Sequence, residues 1–146
     1  MTPEEATARE GIRYTMAVYN TSGDRGRLDE LAATFTEDGV LETAAQRMVG
    51  RAAIVRALGA NLGKTDGDGR PRTSFVRHNL TTSRVEFVSP TEAQGWTYFL
   101  VFSDAGPDHM GTYIDRFRKE GDRWLIASRR VKIHWDSPQT ILHAPA

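Results

Sequence analysis

Long segments in which apolar and polar residues alternate dominate the second half of the chain. They begin near Thr73, are separated by turn-forming residues at 89–90, 104–108 and 120–123, and end near Trp135. A period of two is typical of strands with one buried face, and short turns containing Gly or Pro between such strands predict hairpins. Most of the fold is therefore expected to be a sheet of long strands that follow one another along the chain.

The first half of the chain has helical patterns instead. Thr2 caps a first helix that ends at 20–23, and a shorter helix, a strand at 39–43 and a third helix over 51–62 follow. The Gly-rich segment 63–71 is predicted to be a mobile loop. The apolar stripes of the three helices are formed by Ala8, Ile12, Met16 and Tyr19, by Leu28, Leu31, Ala32 and Phe35, and by Ile54, Val55, Leu58 and Leu62.

Three helices followed by sequential long strands predict an α+β domain in which a curved sheet wraps around the helices. With 146 residues the chain is long enough for one core, so we assign residues 1–146 to a single domain. The concave side of such a sheet is a natural pocket for a small molecule.

The composition argues against several classes of partner and of chemistry. Lys plus Arg and Asp plus Glu both number 19, so the formal net charge is zero, and nothing favours a nucleic acid or an anionic membrane as partner. The absence of cysteine excludes disulfides, thiol nucleophiles and thiolate metal sites. The acidic start of the chain differs from a signal peptide, and no apolar run approaches the roughly 20 residues of a membrane helix, so we expect a soluble cytoplasmic protein.

A histidine lies on an apolar stripe of the first long strand. Val76, His78 and Leu80 fall on one side of that strand by its two-residue period. Imidazole exchanges protons near neutral pH, so a histidine that faces an enclosed pocket can act as an acid or a base. The alternative is a core histidine bonded to a backbone carbonyl, which is the more frequent situation for an isolated histidine on a strand.

Two charged residues occupy positions that should be apolar. Asp115 lies between Tyr113 and Phe117, and Arg129 lies on the next strand. If the turn at 120–123 keeps the two strands in register, Asp115 and Arg129 are diagonal neighbours. They then form either a buried ion pair that fixes the hairpin or a site in which Arg129 orients a carboxylate or stabilises an anionic intermediate. The face that carries Arg129 is otherwise formed by Leu125, Ala127, Val131, Ile133 and Trp135.

Aromatic residues concentrate on one face of the strand at 94–103. That face is formed by Trp96, Tyr98, Leu100 and Phe102. We expect Trp96 and Tyr98, together with Tyr113 and Asp115, to contact a bound substrate, because binding pockets are lined mostly by aromatic and apolar side chains with a few polar groups.

Motifs for cofactors are missing from the sequence. It contains no HExxH metal motif, no Gly-x-Ser-x-Gly elbow and no GxGxxG after a strand. The segment 63–65 resembles the end of a phosphate-binding loop, but Leu58 stands where the first glycine is required. Asp66 and Asp68 resemble a calcium loop, but Arg70 stands at the next ligand position. We therefore expect no cofactor and no metal, and a chemistry of His, Asp, Tyr and Arg side chains.

Short motifs spread over roughly residues 5 to 135 follow one common pattern. They are Ile12, Tyr19, Asp24, the segment 28–38, Gly50 with Ile54, the segments 77–80, 111–115 and 121–124, and Arg129. Together they resemble the SnoaL-like proteins of the nuclear transport factor 2-like superfamily. The resemblance implies a cone-shaped α+β barrel, in which three helices pack inside a strongly bent mixed sheet, and a homodimer formed through the outer face of the sheet.

The chain looks most like the branch with hexachlorocyclohexane dehydrochlorinase, scytalone dehydratase and bile-acid dehydratase, and residues 84–89 resemble the dehydrochlorinase in particular. This resemblance implies that His78 is a catalytic base and that Asp24 orients it. It further implies contributions from Tyr19 and Arg129, which occupy positions used in some members of the branch.

The resemblance implies a cofactor-independent lyase, a dehydratase or other β-eliminating enzyme, acting on a small hydrophobic and cyclic molecule. Two alternatives stay open from the sequence. An isomerase or polyketide cyclase would use the same proton chemistry without losing a group. A non-catalytic binding or dimerisation module would have Asp24 as a helix cap and His78 bonded only to backbone.

Overall fold

Three helices and six strands are found in residues 1–60 and 74–140, the part of the chain that the computed structural model describes. The elements are α1 (Pro3–Asp24), α2 (Leu28–Ala32), β1 (Phe35–Glu42), β2 (Arg47–Val49), α3 (Arg51–Gly59), β3 (Val76–Ser89), β4 (Glu92–Ser103), β5 (Gly106–Glu120) and β6 (Arg123–Asp136). The segment 63–71, predicted to be a loop, and Leu62, predicted to end the third helix, lie outside the described residues.

The six strands form one mixed sheet in the order β2-β1-β6-β5-β4-β3. The strands β3 to β6 are joined by antiparallel hairpins, as predicted, while β1 runs parallel to β6. The predicted α+β class with a curved mixed sheet around N-terminal helices is confirmed. The sheet is not a closed barrel, however, because within the described residues β2 and β3 remain its two edges.

Helix α1 begins with the predicted cap and continues further than predicted. Thr2 and Glu5 form a reciprocal capping box, which satisfies two backbone N–H groups of the first turn. The predicted end at 20–23 is wrong, because Ser22 bonds to Glu30 and the helix continues to Asp24. None of the described helices is long and apolar enough to cross a membrane.

Phe35 belongs to a strand and not to the second helix, which corrects the predicted apolar stripe. Helix α2 ends at Ala32, and Phe35 opens β1 as a fully buried residue opposite Ile126. The backbone N–H of Ile126 donates to the carbonyl of Thr34 at 2.8 Å. Hydrogen bonding to β6 therefore starts a strand at Phe35, although the helical spacing of apolar residues continues to this position.

The aromatic face of β4, predicted to contact a substrate, is not the face that packs against the core. Trp96, Tyr98, Leu100 and Phe102 lie on the outer, partly exposed face, while the core face carries small residues beside Phe99 and Val101. A side chain at Gly95 would come within 2.9 Å of the Phe117 ring. The ring of Phe117 thus leaves room for no side chain larger than that of glycine at position 95 on the core face of β4.

Two bulges divide β6 into parts whose core faces differ. Pairing shifts between Phe117–Ile126 and Arg116–Ser128, so Ala127 is the extra residue of the first bulge. Before the bulge, Trp124 and Ile126 belong to the main core cluster, and Leu125 is buried outside that cluster. After the bulge, Arg129 is buried, and Val131 and Ile133 are partly buried against the cluster. The predicted single face from Leu125 to Trp135 is therefore wrong, and a second bulge near His134 turns Trp135 outward.

The first bulge places Arg129 directly opposite Asp115. The predicted diagonal arrangement is wrong, because unbroken register would have put Ser128 opposite Asp115 and turned Arg129 to the other face. Nε and Nη2 of Arg129 donate to the two carboxylate oxygens of Asp115, both at 2.8 Å. Arg129 and Asp115 are only 1 % and 2 % exposed. Burial alone would lower the pKa of Arg129, but the charge and hydrogen bonds of Asp115 raise it, so the guanidinium stays charged.

Two tyrosines enclose the guanidinium of Arg129. Its Cζ lies 4.3 Å from the ring centre of Tyr19 and 3.9 Å from that of Tyr113, within the range of cation–π attraction. Burial raises the pKa of Tyr19, and burial with the neighbouring Tyr19 raises the pKa of Tyr113 well above its ordinary value. Both phenols therefore stay protonated at neutral and moderately alkaline pH.

Replacing Arg129 by Ala should lower the free energy of unfolding by about 3–5 kcal/mol, because the Asp115 carboxylate is left buried without its partner. Urea denaturation measures the loss. The matched control is Arg130→Ala on the exposed face of β6, with a change of about 0.5 kcal/mol or less. The double variant Arg129→Met with Asp115→Leu should recover much of the stability, because no unpaired charge remains. Equal stability of wild type and Arg129→Ala would contradict the buried pair.

The raised pKa values of Tyr19 and Tyr113 predict a loss of stability at alkaline pH. Above the ordinary tyrosine pKa of 10.0 the unfolded chain releases these protons while the folded chain keeps them. The free energy of unfolding should therefore fall with rising pH, by about 1.4 kcal/mol per pH unit and tyrosine. Urea denaturation curves recorded from about pH 9 to about pH 11 measure this slope. Tyr19→Phe should reduce the slope, and Tyr14→Phe, at an exposed position, should leave it unchanged.

Candidate active site

The central contact of the concave face joins the end of α1 to the start of β3. Nδ1 of His78 lies 2.6 Å from Oδ1 of Asp24, and the backbone N–H of His78 donates to Oδ2 of the same carboxylate at 3.0 Å. A carboxylate only accepts, so Nδ1 carries the proton of this bond and Nε2 is the nitrogen that can take up another. The Asp24 side chain is 8 % exposed and that of His78 24 %, so the imidazole is the more accessible partner.

Helix α1 is held against β3 at two points. Near its start, Arg9 donates to the carbonyl of Val85 at 2.8 Å, and its last residue, Asp24, binds His78. Asp24 reaches His78 only because α1 continues through its polar last turn. The double contact fixes the imidazole plane relative to the helix, as a general base requires.

A row of aromatic rings leads from His78 to the buried charge of Arg129. The ring of His78 lies 6.4 Å from that of Phe99, which stacks on Tyr113 at 4.4 Å between centres. Tyr113 is 5.9 Å from Tyr19 in an edge-to-face arrangement. The predicted residues Tyr19, Asp24, His78, Tyr113, Asp115 and Arg129 are thus brought together on the concave face.

Two buried nitrogen atoms of this row have no hydrogen-bond partner in the described part of the chain. They are Nη1 of Arg129 and Nδ2 of Asn20. Asn20 accepts a hydrogen bond from the Tyr113 hydroxyl through its Oδ1, at 3.2 Å. The two nitrogen atoms thus lie beside the tyrosines of the aromatic row that begins at His78.

The predicted substrate contacts Trp96 and Tyr98 lie elsewhere. They line a groove on the outer face of the sheet with Thr82, Arg84 and Thr112. His78 pairs with Val101, whose side chain is buried on the concave side. Tyr98 is three residues before Val101 on β4, so its side chain points to the other face of the sheet. Trp96 and Tyr98 therefore cannot contact a molecule bound at His78, and this part of the prediction is wrong.

A second His–Asp pair beside His78 was missed from the sequence. The buried ring of His109 lies 6.4 Å from the His78 ring, and its Nδ1 is 2.7 Å from Oδ2 of Asp108. The same Asp108 oxygen accepts from the Thr140 hydroxyl at 2.8 Å, so the pair also fastens the segment after β6. The two-residue period of the strand could have indicated that His109 points inward, because it places His109 and Tyr113 on the same side of β5.

Within residues 1–60 and 74–140, no three His, Asp or Glu side chains are grouped closely enough to hold a metal ion. The arrangement that is present is suited to moving a proton: an imidazole held by a carboxylate, next to protonated phenols and a fixed positive charge.

Solved structures with the same fold include proteins with related expected chemistry. A candidate scytalone dehydratase from Novosphingobium aromaticivorans is 24 % identical, with 99 % of this chain and 100 % of that chain covered and a TM-score of 0.76. The dehydrochlorinase LinA is 17 % identical, with 98 % and 97 % covered and a TM-score of 0.78. At these identities the likeness shows the fold alone.

A Mycobacterium tuberculosis protein of unknown function is 27 % identical, with 91 % of this chain and 76 % of that chain covered and a TM-score of 0.75. No protein with a curated description matches the chain significantly. The sequence pattern of one family matches residues 4–130, which include Tyr19, Asp24, His78 and Arg129. On that match the chain belongs to the SnoaL-like domain family.

Proposed function

We propose that the protein is a cofactor-independent lyase that removes a group by β-elimination from a small hydrophobic, cyclic molecule. The observation that supports this most is the contact of His78 with Asp24, through both ring and backbone. Candidate dehydratases and dehydrochlorinases share the fold, which agrees with the proposal.

In the proposed mechanism Nε2 of His78 takes a proton from the carbon next to the one that bears the leaving group. The electron pair of the broken C–H bond becomes the new carbon–carbon double bond, and the leaving group departs with its own bonding pair. Asp24 holds the ring in one orientation and stabilises the imidazolium that forms.

Tyr19 and Arg129 have different proposed roles. Because its pKa is raised by burial, Tyr19 keeps a proton that it can donate to a leaving or carbonyl oxygen. Arg129 is bound to Asp115 by two hydrogen bonds, which agrees with the interpretation of this pair as a buried ion pair that fixes the hairpin. Because the guanidinium is held in place by Asp115, we assign Arg129 the part of a fixed charge at the far wall.

The observed contacts differ from those predicted for a non-catalytic module, which supports the proposal. Asp24 does not cap α2, since the position before that helix is Arg27 and makes no side-chain capping bond. The His78 ring is bonded to a carboxylate, not only to backbone. An isomerase or cyclase would use the same residues, and the products separate it from a lyase.

A homodimer is a further part of the proposal, because the outer face exposes a contiguous apolar patch. Tyr98, Met110 and Trp135 are 52 %, 42 % and 43 % exposed on neighbouring strands. Light scattering should give twice the chain mass of 16.3 kDa. Tyr98→Glu with Trp135→Glu should give the monomer, while the exposed control Val49→Glu should not. A monomeric wild type would contradict this part.

His78→Ala should lower elimination by about 10²–10⁴-fold, the contribution of a general base. A suitable probe is 5-nitrobenzisoxazole, which needs only a base in an apolar site and opens to a coloured phenolate. Asp24→Asn should cause a smaller loss of kcat, because it weakens the support of the imidazolium without removing the base.

The control for this measurement is His134→Ala, which removes a histidine from the exposed face of β6. It should keep the wild-type rate. Equal rates for His78→Ala and wild type would exclude His78 as the base and with it the proposed lyase.

A further inference from the structure

The last turn of α1 carries Asp24 and consists of residues that favour a helix poorly. Residues 20–23 are Asn, Thr, Ser and Gly, all of which have low helix propensity. Asp24 is an acid at the negative end of the helix dipole, and the last turn contains no basic residue. Other contacts therefore have to keep this turn wound, because Asp24 reaches His78 only from the end of a continuous helix.

The backbone after Asp24 ends the helix in a Schellman motif. The N–H of Gly26 donates to the carbonyl of Gly23 at 3.0 Å. The N–H of Arg27 donates to the carbonyl of Ser22 at 2.9 Å. Gly26 has a φ of 70°, the left-handed conformation that this motif requires and that glycine adopts without strain. Ser22 is thus one of the residues that fasten the backbone of this turn.

The side chain of Ser22 makes a second connection, to the start of α2. Its hydroxyl donates to Oε2 of Glu30 at 3.1 Å, and Ser22 is only 3 % exposed. Nη1 of Arg27 lies 3.5 Å from Oε1 of the same carboxylate. One serine and one glutamate therefore join the end of α1 to α2, two residues before Asp24.

On its other side Asp24 binds a backbone group of β3 as well as the imidazole. In the described part of the chain β3 is an edge strand, and the N–H of His78 donates to Oδ2 of Asp24 at 3.0 Å. A donor on the open side of an edge strand has no neighbouring strand to bond. The N–H of His78 therefore becomes free to exchange with solvent when Asp24 moves away, so it reports directly on this contact.

We propose that Ser22 and Glu30 are positioning residues of the His78–Asp24 pair. Their contact keeps the last turn of α1 wound, and unwinding of that turn removes Asp24 from His78. The inference rests on the proposed role of His78 as a general base, and it adds two residues that act on this base through the helix. Opening of the turn and loss of the Asp24 contact are then one event with one equilibrium constant.

Amide hydrogen exchange tests this proposal without any turnover. The amides of residues 25–27 report on the end of α1, and the amide of His78 reports on the contact with Asp24. Ser22→Ala and Glu30→Ala should accelerate exchange at both places by the same factor, about twofold to tenfold, as expected for one partly exposed hydrogen bond. The N–H of Lys119, which donates to Thr91 at the other end of the strands, should keep its wild-type rate.

Two matched substitutions on α2 separate the hydrogen bond from the charge. Glu30→Gln keeps an oxygen that can accept from Ser22, so exchange should stay close to wild type at both places. Asp29→Ala removes the other acid of the first turn of α2, and with it the same charge near the helix N-terminus. It should change neither rate, because Asp29 is not the residue that binds Ser22.

The elimination of 5-nitrobenzisoxazole supplies a second measurement on the same variants. Ser22→Ala and Glu30→Ala should lower kcat and leave KM unchanged, because the base is present but is held by Asp24 for less of the time. The loss should stay below that of Asp24→Asn and should be recovered in Glu30→Gln.

The inference is overturned if exchange at residues 25–27 accelerates while the His78 amide keeps its wild-type rate, or if neither place responds to the two alanine variants. Exchange in Glu30→Gln or Asp29→Ala as fast as in Glu30→Ala would also overturn it, since charge and not the contact would then hold the turn. Failure of the lyase proposal is seen separately, as elimination of 5-nitrobenzisoxazole that does not depend on His78.

Discussion

The buried pair of Arg129 and Asp115 is the constraint around which the concave face is arranged. A guanidinium that is 1 % exposed is tolerable only because two parallel hydrogen bonds and two aromatic faces replace its water. The bulge at Ala127 is what makes the two residues direct neighbours. The rings of Tyr19 and Tyr113 that enclose the charge are also the rings that continue toward Phe99 and His78.

Helix α1 supplies the remaining polar groups from a single face. Tyr19, Asn20 and Asp24 are spaced so that one lies against Arg129, the next against Tyr113 and the last against His78. This spacing needs the helix to persist through residues that normally end one. Tertiary hydrogen bonds from the sheet and from Glu30 provide that persistence.

Strand parity predicted much of the fold, and it failed where a strand is irregular. The inward direction of His78 follows from a two-residue period, whereas the direct pairing of Arg129 with Asp115 also needs the bulge at Ala127. The faces of Trp96 and Trp135 do not follow, because a bulge reverses parity and a large neighbour such as Phe117 can demand small residues on the core side. A bulge depends on contacts between strands, which one strand's own sequence does not contain.

The polar residues of the concave face differ in how many of their hydrogen-bonding groups are used by a neighbouring side chain. Asp115 takes two of the donors of Arg129, which leaves a charge that is fixed in place. Asp24 binds only one nitrogen of His78, which leaves the other nitrogen able to exchange a proton. The His78 imidazole is also more exposed than the Asp24 carboxylate. The two-residue period of the strands does not distinguish Arg129 from His78, because both are polar residues on an apolar stripe. The contacts separate them, since a structural charge is surrounded by its partners and a reactive group keeps one position for a substrate.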